Sequence, residues 1–326
     1  MSNKINRRGF LAGVGATGAG AIAAGGTLAA PPAQAAKKEK KGKKQFQEGI
    51  SPWALSLNTS TIRPASLEDK IAIAAEVGFD AIEPWIDDIE NYEKAGGDLK
   101  VLGKQITDLG LYVPNVIGLW DCMPPAEEAF EASLEKTRDR MRMCSLIGSQ
   151  RVAAIPAPDR ADFDVPWGSE CYRRLLEIGK QEYDGLIVAF EFIGFFKGIY
   201  RLGLASGMAM DTNDRDACLI ADTFHLACGG SGFNGIRHLD GNFIGNFHWN
   251  DLPAEPTHRE ARDHDRIYPG DGVLPLEQCL RDLKTIGYKR ALSLEMFNRA
   301  HWEQDPRVVA KTGIQKMRDN IIASGV

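Results

Sequence analysis

The chain has 326 residues, of which 44% are hydrophobic and 25% charged, with a formal net charge of -5. This is ordinary soluble globular material, enough for one large domain or two small ones. The first 44 residues are basic, so the remainder is strongly acidic, which excludes a nucleic-acid binder held by phosphate contacts. Six cysteines (Cys122, Cys144, Cys171, Cys218, Cys228 and Cys279) form no C-x-x-C pair and no compact framework, which argues against a cysteine zinc site. Reduced core cysteines are the expectation.

The N-terminus opens with Asn6-Arg7-Arg8-Gly9-Phe10-Leu11, continues through a Gly/Ala-rich weakly apolar stretch and ends at Pro31-Pro32-Ala33-Gln34-Ala35, where Ala-x-Ala suits signal peptidase. Seven glycines between Gly9 and Gly26 make the stretch a poor membrane span. The segment resembles a twin-arginine signal, which implies export of the folded protein by the twin-arginine machinery to the periplasm or beyond. Residues 1–35 are therefore read as signal and residues 36–49, with their AKKEKKGKK run, as a solvated lysine-rich linker. Residues 50–326 form the folded domain.

From Trp53 onward, short β-type runs alternate with longer amphipathic segments. The strands predicted are 53–59, 80–85, 112–118, 151–156, 186–192, 217–223, 243–249 and 290–296. The helices predicted are 66–77, 98–109, 126–147, 169–183, 198–208, 232–240, 275–286 and 306–323. Strand–helix alternation means parallel pairing through crossover helices, and eight units match a closed (β/α)8 TIM barrel better than an open doubly wound sheet. No G-x-G-x-x-G follows the first strand, so a dinucleotide site loses its main support.

Four of these runs carry a polar residue where Val, Ile, Leu and Phe otherwise prevail: Glu191 in LIVAFEFIG, Asp222 in ACLIADTFHL, His248 in FIGNFHWND and Glu295 in ALSLEMF. Buried charges of this kind are costly unless they share a partner. All four lie in the C-terminal halves of consecutive strands, which a barrel gathers at one mouth. Each could instead be satisfied separately, by an interior Arg or Lys, as a cap or as a hydrogen-bonded core histidine. Four strands in a row favour one divalent cation, and an oxygen-rich set with one nitrogen suits Mn2+ first, with Mg2+, Co2+ or Zn2+ as alternatives.

The order Glu191, Asp222 with His225, His248 with Asp251, and Glu295 resembles the xylose-isomerase-like TIM-barrel superfamily of sugar isomerases and epimerases. The likeness extends over residues 50–326 and includes Asp265-Arg266 followed by Pro269-Gly270-Asp271-Gly272. It implies that Glu191, Asp222, His248 and Glu295 hold the cation and that Glu191 and Glu295 are the catalytic pair. One would take a proton from the carbon beside a carbonyl and the other would return it on the opposite face, through an enediolate. His225 and Arg266 are expected to touch substrate oxygens or to support the carboxylates. Glu83 and Trp85, in Ile82-Glu83-Pro84-Trp85, offer a hydroxyl acceptor and a wall for a sugar face, and Trp120 offers a second wall.

Two departures bear on the reaction. Ketose 3-epimerases of this superfamily carry a second substrate-binding Glu six residues after the first metal-binding Glu; here that position is Lys197, a candidate substrate contact in its place. The phosphodiester-cleaving branch adds histidines for a three-zinc cluster, whereas Arg266 occupies one of those places and the chain holds six His in all. The expectation is thus a metal-dependent sugar isomerase or epimerase. The alternatives are a lyase or dehydratase on a 3-keto-glycoside or inosose, and a non-catalytic carbohydrate-binding barrel. A small carbohydrate and the export machinery are the expected partners, self-association being left open.

Overall fold

The computed structural model describes residues 46–326; the signal and most of the linker read from the sequence lie outside the described residues. In chain order the elements are β1 (Leu55–Asn58), α1 (Leu67–Val77), β2 (Ala81–Glu83), α2 (Ile86–Lys94), α3 (Leu99–Asp108), β3 (Val116–Leu119), α4 (Glu127–Leu146), β4 (Arg151–Ala154), α5 (Val165–Glu182), β5 (Ile187–Glu191), α6 (Leu202–Asp211), β6 (Cys218–Asp222), α7 (Thr223–Cys228), β7 (Ile244–Trp249), α8 (Leu276–Thr285), β8 (Leu292–Leu294), α9 (Arg299–Trp302) and α10 (Pro306–Ser324). The eight strands are parallel and run in the order β2-β1-β8-β7-β6-β5-β4-β3.

The barrel is nearly closed. Between β2 and β3 the continuous ladder gives way to two bridges, Ala81 with Tyr112 and Trp85 with Ile117. Pro84 lies on one side of this seam and Pro114 on the other, and neither has an N–H to donate. Ile82 N still donates to Tyr112 O at 3.0 Å and Ile117 N to Pro84 O at 3.0 Å.

Alternation along each strand separates two apolar populations. Leu55, Leu57, Val152, Phe190, Leu219, Phe247 and Leu292 face outward and form one core with the helices. Ile117, Ala153, Ile155, Ala189, Cys218 and Ile220 face inward as a second cluster. The inward positions of β3 to β6 are therefore mostly apolar. On β7, β8, β1 and β2 the buried inward set is polar instead: Asn246, His248, Ser293, Asn58 and Glu83.

Several elements depart from the sequence reading. Helix α2 was not expected, and the helix expected over 232–240 is reduced to a single turn at Ile236–His238. The run Gly229-Gly230-Ser231-Gly232 and Gly235 removes helix propensity there. The helix after β6 instead starts at once as α7, with Asp222 as its N-cap accepting from Phe224 N at 2.6 Å. Residues 46–49, read as linker, pack against the barrel: Gln47 is buried and its Nε2 donates to Gly78 O at 3.1 Å. All six cysteines are free and buried. No helix among the described residues is long and apolar enough to cross a membrane.

Candidate metal centre

Glu191 ends β5, Asp222 ends β6, His248 lies near the end of β7 and Glu295 follows β8. Parallel pairing in register sets Asp222 beside His248 and His248 beside Ser293, so four consecutive strands deliver the four side chains to one mouth. One ligand atom from each lies within 4.8 Å of the others, and all four residues are buried. His248 Nδ1 sits 3.1 Å from Glu191 Oε1, 3.1 Å from Glu295 Oε2 and 3.7 Å from Asp222 Oδ2. That nitrogen has no hydrogen-bond partner of acceptable geometry. A buried orphan nitrogen ringed by three carboxylate oxygens fits a divalent cation, which would satisfy all four at once.

The electrostatics are those of charges crowded together in a buried site. Burial pushes the Glu191 carboxyl up to about 7, despite the neighbouring His248. Glu295 is also raised, by burial, against the pull of His248 and Arg266. Burial alone would raise Asp222 too, but Arg266, His225 and His248 together outweigh it and hold that carboxyl well below its ordinary range. Burial would lower His248; the carboxylates of Glu295, Glu83 and Glu191 carry it well above its ordinary value instead.

Behind the cluster, Glu83 is wholly buried and accepts from five donors. These are Asn58 Nδ2 at 2.9 Å, Asn115 Nδ2 at 2.7 Å, Asn246 Nδ2 at 2.7 Å, Ser293 Oγ at 2.5 Å and His248 Nε2 at 3.1 Å. With Nε2–H directed at Glu83, Nδ1 is the nitrogen left for the cation. The role of substrate-hydroxyl acceptor expected for Glu83 does not fit this placement, because both of its oxygens are taken inside the barrel.

Arg266 supports carboxylates, the second of its two expected roles. It is 1% exposed, and Nη1 donates to Asp222 Oδ2 at 2.6 Å and to Glu295 Oε2 at 2.9 Å. Nη2 donates to Asp263 Oδ1 at 2.8 Å, and the guanidinium carbon stacks 4.4 Å from Phe224 and 5.1 Å from Phe297. His225 is buried; its Nδ1 accepts from Gly194 N at 3.2 Å, which places the proton on Nε2, 4.0 Å from Asp222 Oδ2. Burial lowers its pKa to about 4, so the ring is neutral and offers an N–H toward the cluster.

Trp85 and Trp120 stand together at the mouth, their rings 5.8 Å apart, with Phe297 edge-on to Trp85 at 5.5 Å. Trp85 Nε1 donates to Asn58 Oδ1 at 3.0 Å. Lys197 is not brought to the cluster: it is exposed on the loop after β5, anchored through its backbone N to Asp159 Oδ1 at 2.8 Å.

Sequence reasoning missed the amides. Asn58 joins Glu83 to Glu295, donating to Glu295 Oε1 at 3.1 Å, and Asn250 Nδ2 donates to Asp222 Oδ1 at 3.1 Å. The available signal was period two: Asn246 lies two residues before His248 and Ser293 two before Glu295, on the same inward face. Asp251 is structural. Its carboxylate accepts from Leu252 N at 2.8 Å and from Leu274, Gly270 and Gly272 N at 3.0 Å each, pinning the loop that carries Arg266. A Cβ at Gly272 would meet Leu252 O at 2.1 Å and Asp251 Oδ1 at 2.4 Å. Asp251→Ala is expected to destabilise the fold by ~1–3 kcal/mol, read from the urea midpoint, by leaving buried amides unpaired.

A model of the family described as xylose isomerase-like TIM barrel matches residues 71–320. The chain belongs to that family. Inosose isomerase of Bacillus licheniformis is 27% identical over 191 residues, covering 57% of this chain and 68% of that enzyme. A 3-dehydroshikimate dehydratase of Pseudomonas aeruginosa is 24% identical over 254 residues, covering 77% of this chain but 39% of that enzyme. Among solved structures, the IOLI protein with a bound zinc atom superposes with a TM-score of 0.75 at 21% identity, covering 83% of this chain and 98% of its own. These relatives include an isomerase and a dehydratase, so the family frame leaves the reaction to be argued from the site.

Proposed function

We propose that the chain is a divalent-metal-dependent isomerase or epimerase of a small polyhydroxylated carbonyl compound, acting by proton transfer at the carbon beside the carbonyl through an enediolate. The observation that carries this reading is the convergence of Glu191 and Glu295 on His248 Nδ1, each at 3.1 Å, from the two ends of the four-strand set. A bound cation, Mn2+ being the first choice for this donor set, would polarise the carbonyl and stabilise the negative charge that develops beside it.

The chain's own residues divide the remaining work. Among the described residues no side chain donates a hydrogen bond to Glu191, and burial raises its carboxyl to about 7, which suits a group that takes and returns a proton near neutrality. Glu295 is held at both oxygens, by Asn58 and by Arg266, and so presents a fixed carboxylate from the β8 side. His225 can donate its Nε2–H to a substrate oxygen. The Trp85, Trp120 and Phe297 rings supply an apolar wall for the C–H face of a sugar or cyclitol. The substrate is a small carbohydrate met in the periplasm or outside the cell, the address suggested by the twin-arginine-like N-terminus.

A second reading, a lyase or dehydratase on a 3-keto-glycoside or inosose, is favoured by the likeness to a dehydratase and by Lys197 standing where 3-epimerases carry Glu. Both reactions start with loss of the same proton. Incubation with inososes, ketoses and 3-keto-glycosides in D2O separates them: deuterium recovered in an isomerised or epimerised product supports the first reading, and release of water or an aglycone supports the second. Sugar binding without exchange, surviving Glu191→Gln, would make the barrel a binding module and refute both.

A further inference from the structure

At the base of the barrel, opposite the mouth, lies a cavity of about 940 Å³ bordered by the Phe46–Trp53 segment, Tyr112 and the turn from α8 to β8. Four cations line it: Arg151, Lys284, Lys289 and Arg290. Among the described residues no carboxylate lies within ion-pairing distance of any of the four, although the domain as a whole is acidic. Arg151 is 7% exposed; its Nη1 donates to Gln150 Oε1 at 3.3 Å and its guanidinium also faces the Cys218 side chain. The Nε atoms of Arg151 and Arg290 are both buried without a partner.

The fold makes room for this charge. Arg151 shares the inward face of β4 with Ala153, so its side chain rises into the foot of the lumen. The β6–β7 register slips between Leu219 and Ile220, which places Gly245 against it. A Cβ on Gly245 would meet Cys218 Sγ at 2.8 Å and Arg151 Cδ at 3.1 Å, so only glycine leaves the arginine its path. Burying a guanidinium without a counter-charge is costly, and the cost is relieved by a ligand that brings the missing negative charge.

We infer that this basal cavity binds a phosphate-bearing small molecule, its oxyanion held between Arg151 and Arg290 with Lys284 and Lys289 at the rim. Two guanidiniums present the paired donors that suit phosphate oxygens, and the volume exceeds what a bare ion fills. The half-buried Tyr112 supplies a flat wall for an organic body, backed by Trp53 and Tyr288 in the core. Burial and the neighbouring Arg151 depress the pKa of Arg290, as expected of two cations that border one cavity. Burial also pushes the Tyr112 phenol up to about 12, which keeps it a neutral donor. The base of a barrel is remote from its chemistry, so occupancy would act on stability or regulation, not on the reacting atoms.

The test titrates the metal-loaded full chain with inorganic phosphate and, separately, with ribose 5-phosphate, by calorimetry and thermal melting against chloride of equal ionic strength. A saturable rise in melting temperature is expected, with affinity falling about 10-fold or more in Arg290→Gln and less in Lys289→Gln. Tighter binding of the ester than of inorganic phosphate assigns the cavity to an organic phosphate; equal binding assigns it to the free ion, keeping the oxyanion site and overturning the organic ligand. No saturable shift in wild type, or a shift unchanged in both variants, overturns the site. A shift that survives Arg290→Gln and disappears on chelation places the anion at the mouth and likewise overturns it.

Discussion

Glu295→Gln and Glu191→Gln are each expected to slow exchange of the substrate's carbon-bound proton with solvent by about 10²- to 10⁴-fold, the usual contribution of one positioned acid or base. The exchanged amide keeps the shape of the carboxylate but cannot hold the proton. Each change also removes one of the carboxylate charges that ring His248 Nδ1, so cation affinity weakens as well. Running both variants at saturating cation separates the two effects. Exchange restored by excess metal would mean that these residues act as ligands alone. Exchange still lost under those conditions assigns them the proton transfer.

The second large effect falls on Glu83, which touches neither the mouth nor the expected substrate. Burial would raise its carboxyl, yet His248 and the surrounding hydroxyl and amide donors hold it below the ordinary range, so it is an anion deep in the barrel. Glu83→Ala would strand Asn58, Asn115, Asn246, Ser293 and His248 without their common acceptor. A loss of ~3–5 kcal/mol in unfolding free energy is expected, the cost of breaking a buried charged network from one side. Glu83→Gln preserves the volume and is the cleaner probe. It should fold with a smaller loss, while cation affinity falls about 10- to 100-fold because His248 is no longer held with Nδ1 outward. Unchanged metal affinity in a folded Glu83→Gln protein would remove the positioning role.

The same two groups of residues show where the sequence was legible. Glu191, Asp222, His248 and Glu295 could be read because a charge inside an apolar strand is conspicuous and strand order assigns it to one end of a barrel. Glu83 was conspicuous too, but its meaning depended on strand length. Because β2 stops at Glu83, that carboxylate lies within the lumen under His248 and not at the mouth where Trp85 stands. The inward polar face of Asn58, Asn115, Asn246 and Ser293 was hidden because each is unremarkable alone, and only closure of the sheet brings them to one carboxylate. Helix α7 was misplaced for a related reason: Asp222 serves at once as strand end, helix cap and cluster member, and a periodicity reading assigns it one role. Lys197 lies on a loop whose course is set by the Asp159 carboxylate, a contact 38 residues away that no local pattern announces.

The most direct test of the metal centre is the cation content of the purified chain by inductively coupled plasma mass spectrometry, repeated on an Asp222→Ala, His248→Ala double variant after reloading with Mn2+. One divalent cation per chain in wild type, and near none in the double variant with its circular dichroism spectrum intact, is the expected result. A folded wild-type chain that takes up no divalent cation, or a double variant that retains a full equivalent, would contradict a centre built from these four residues.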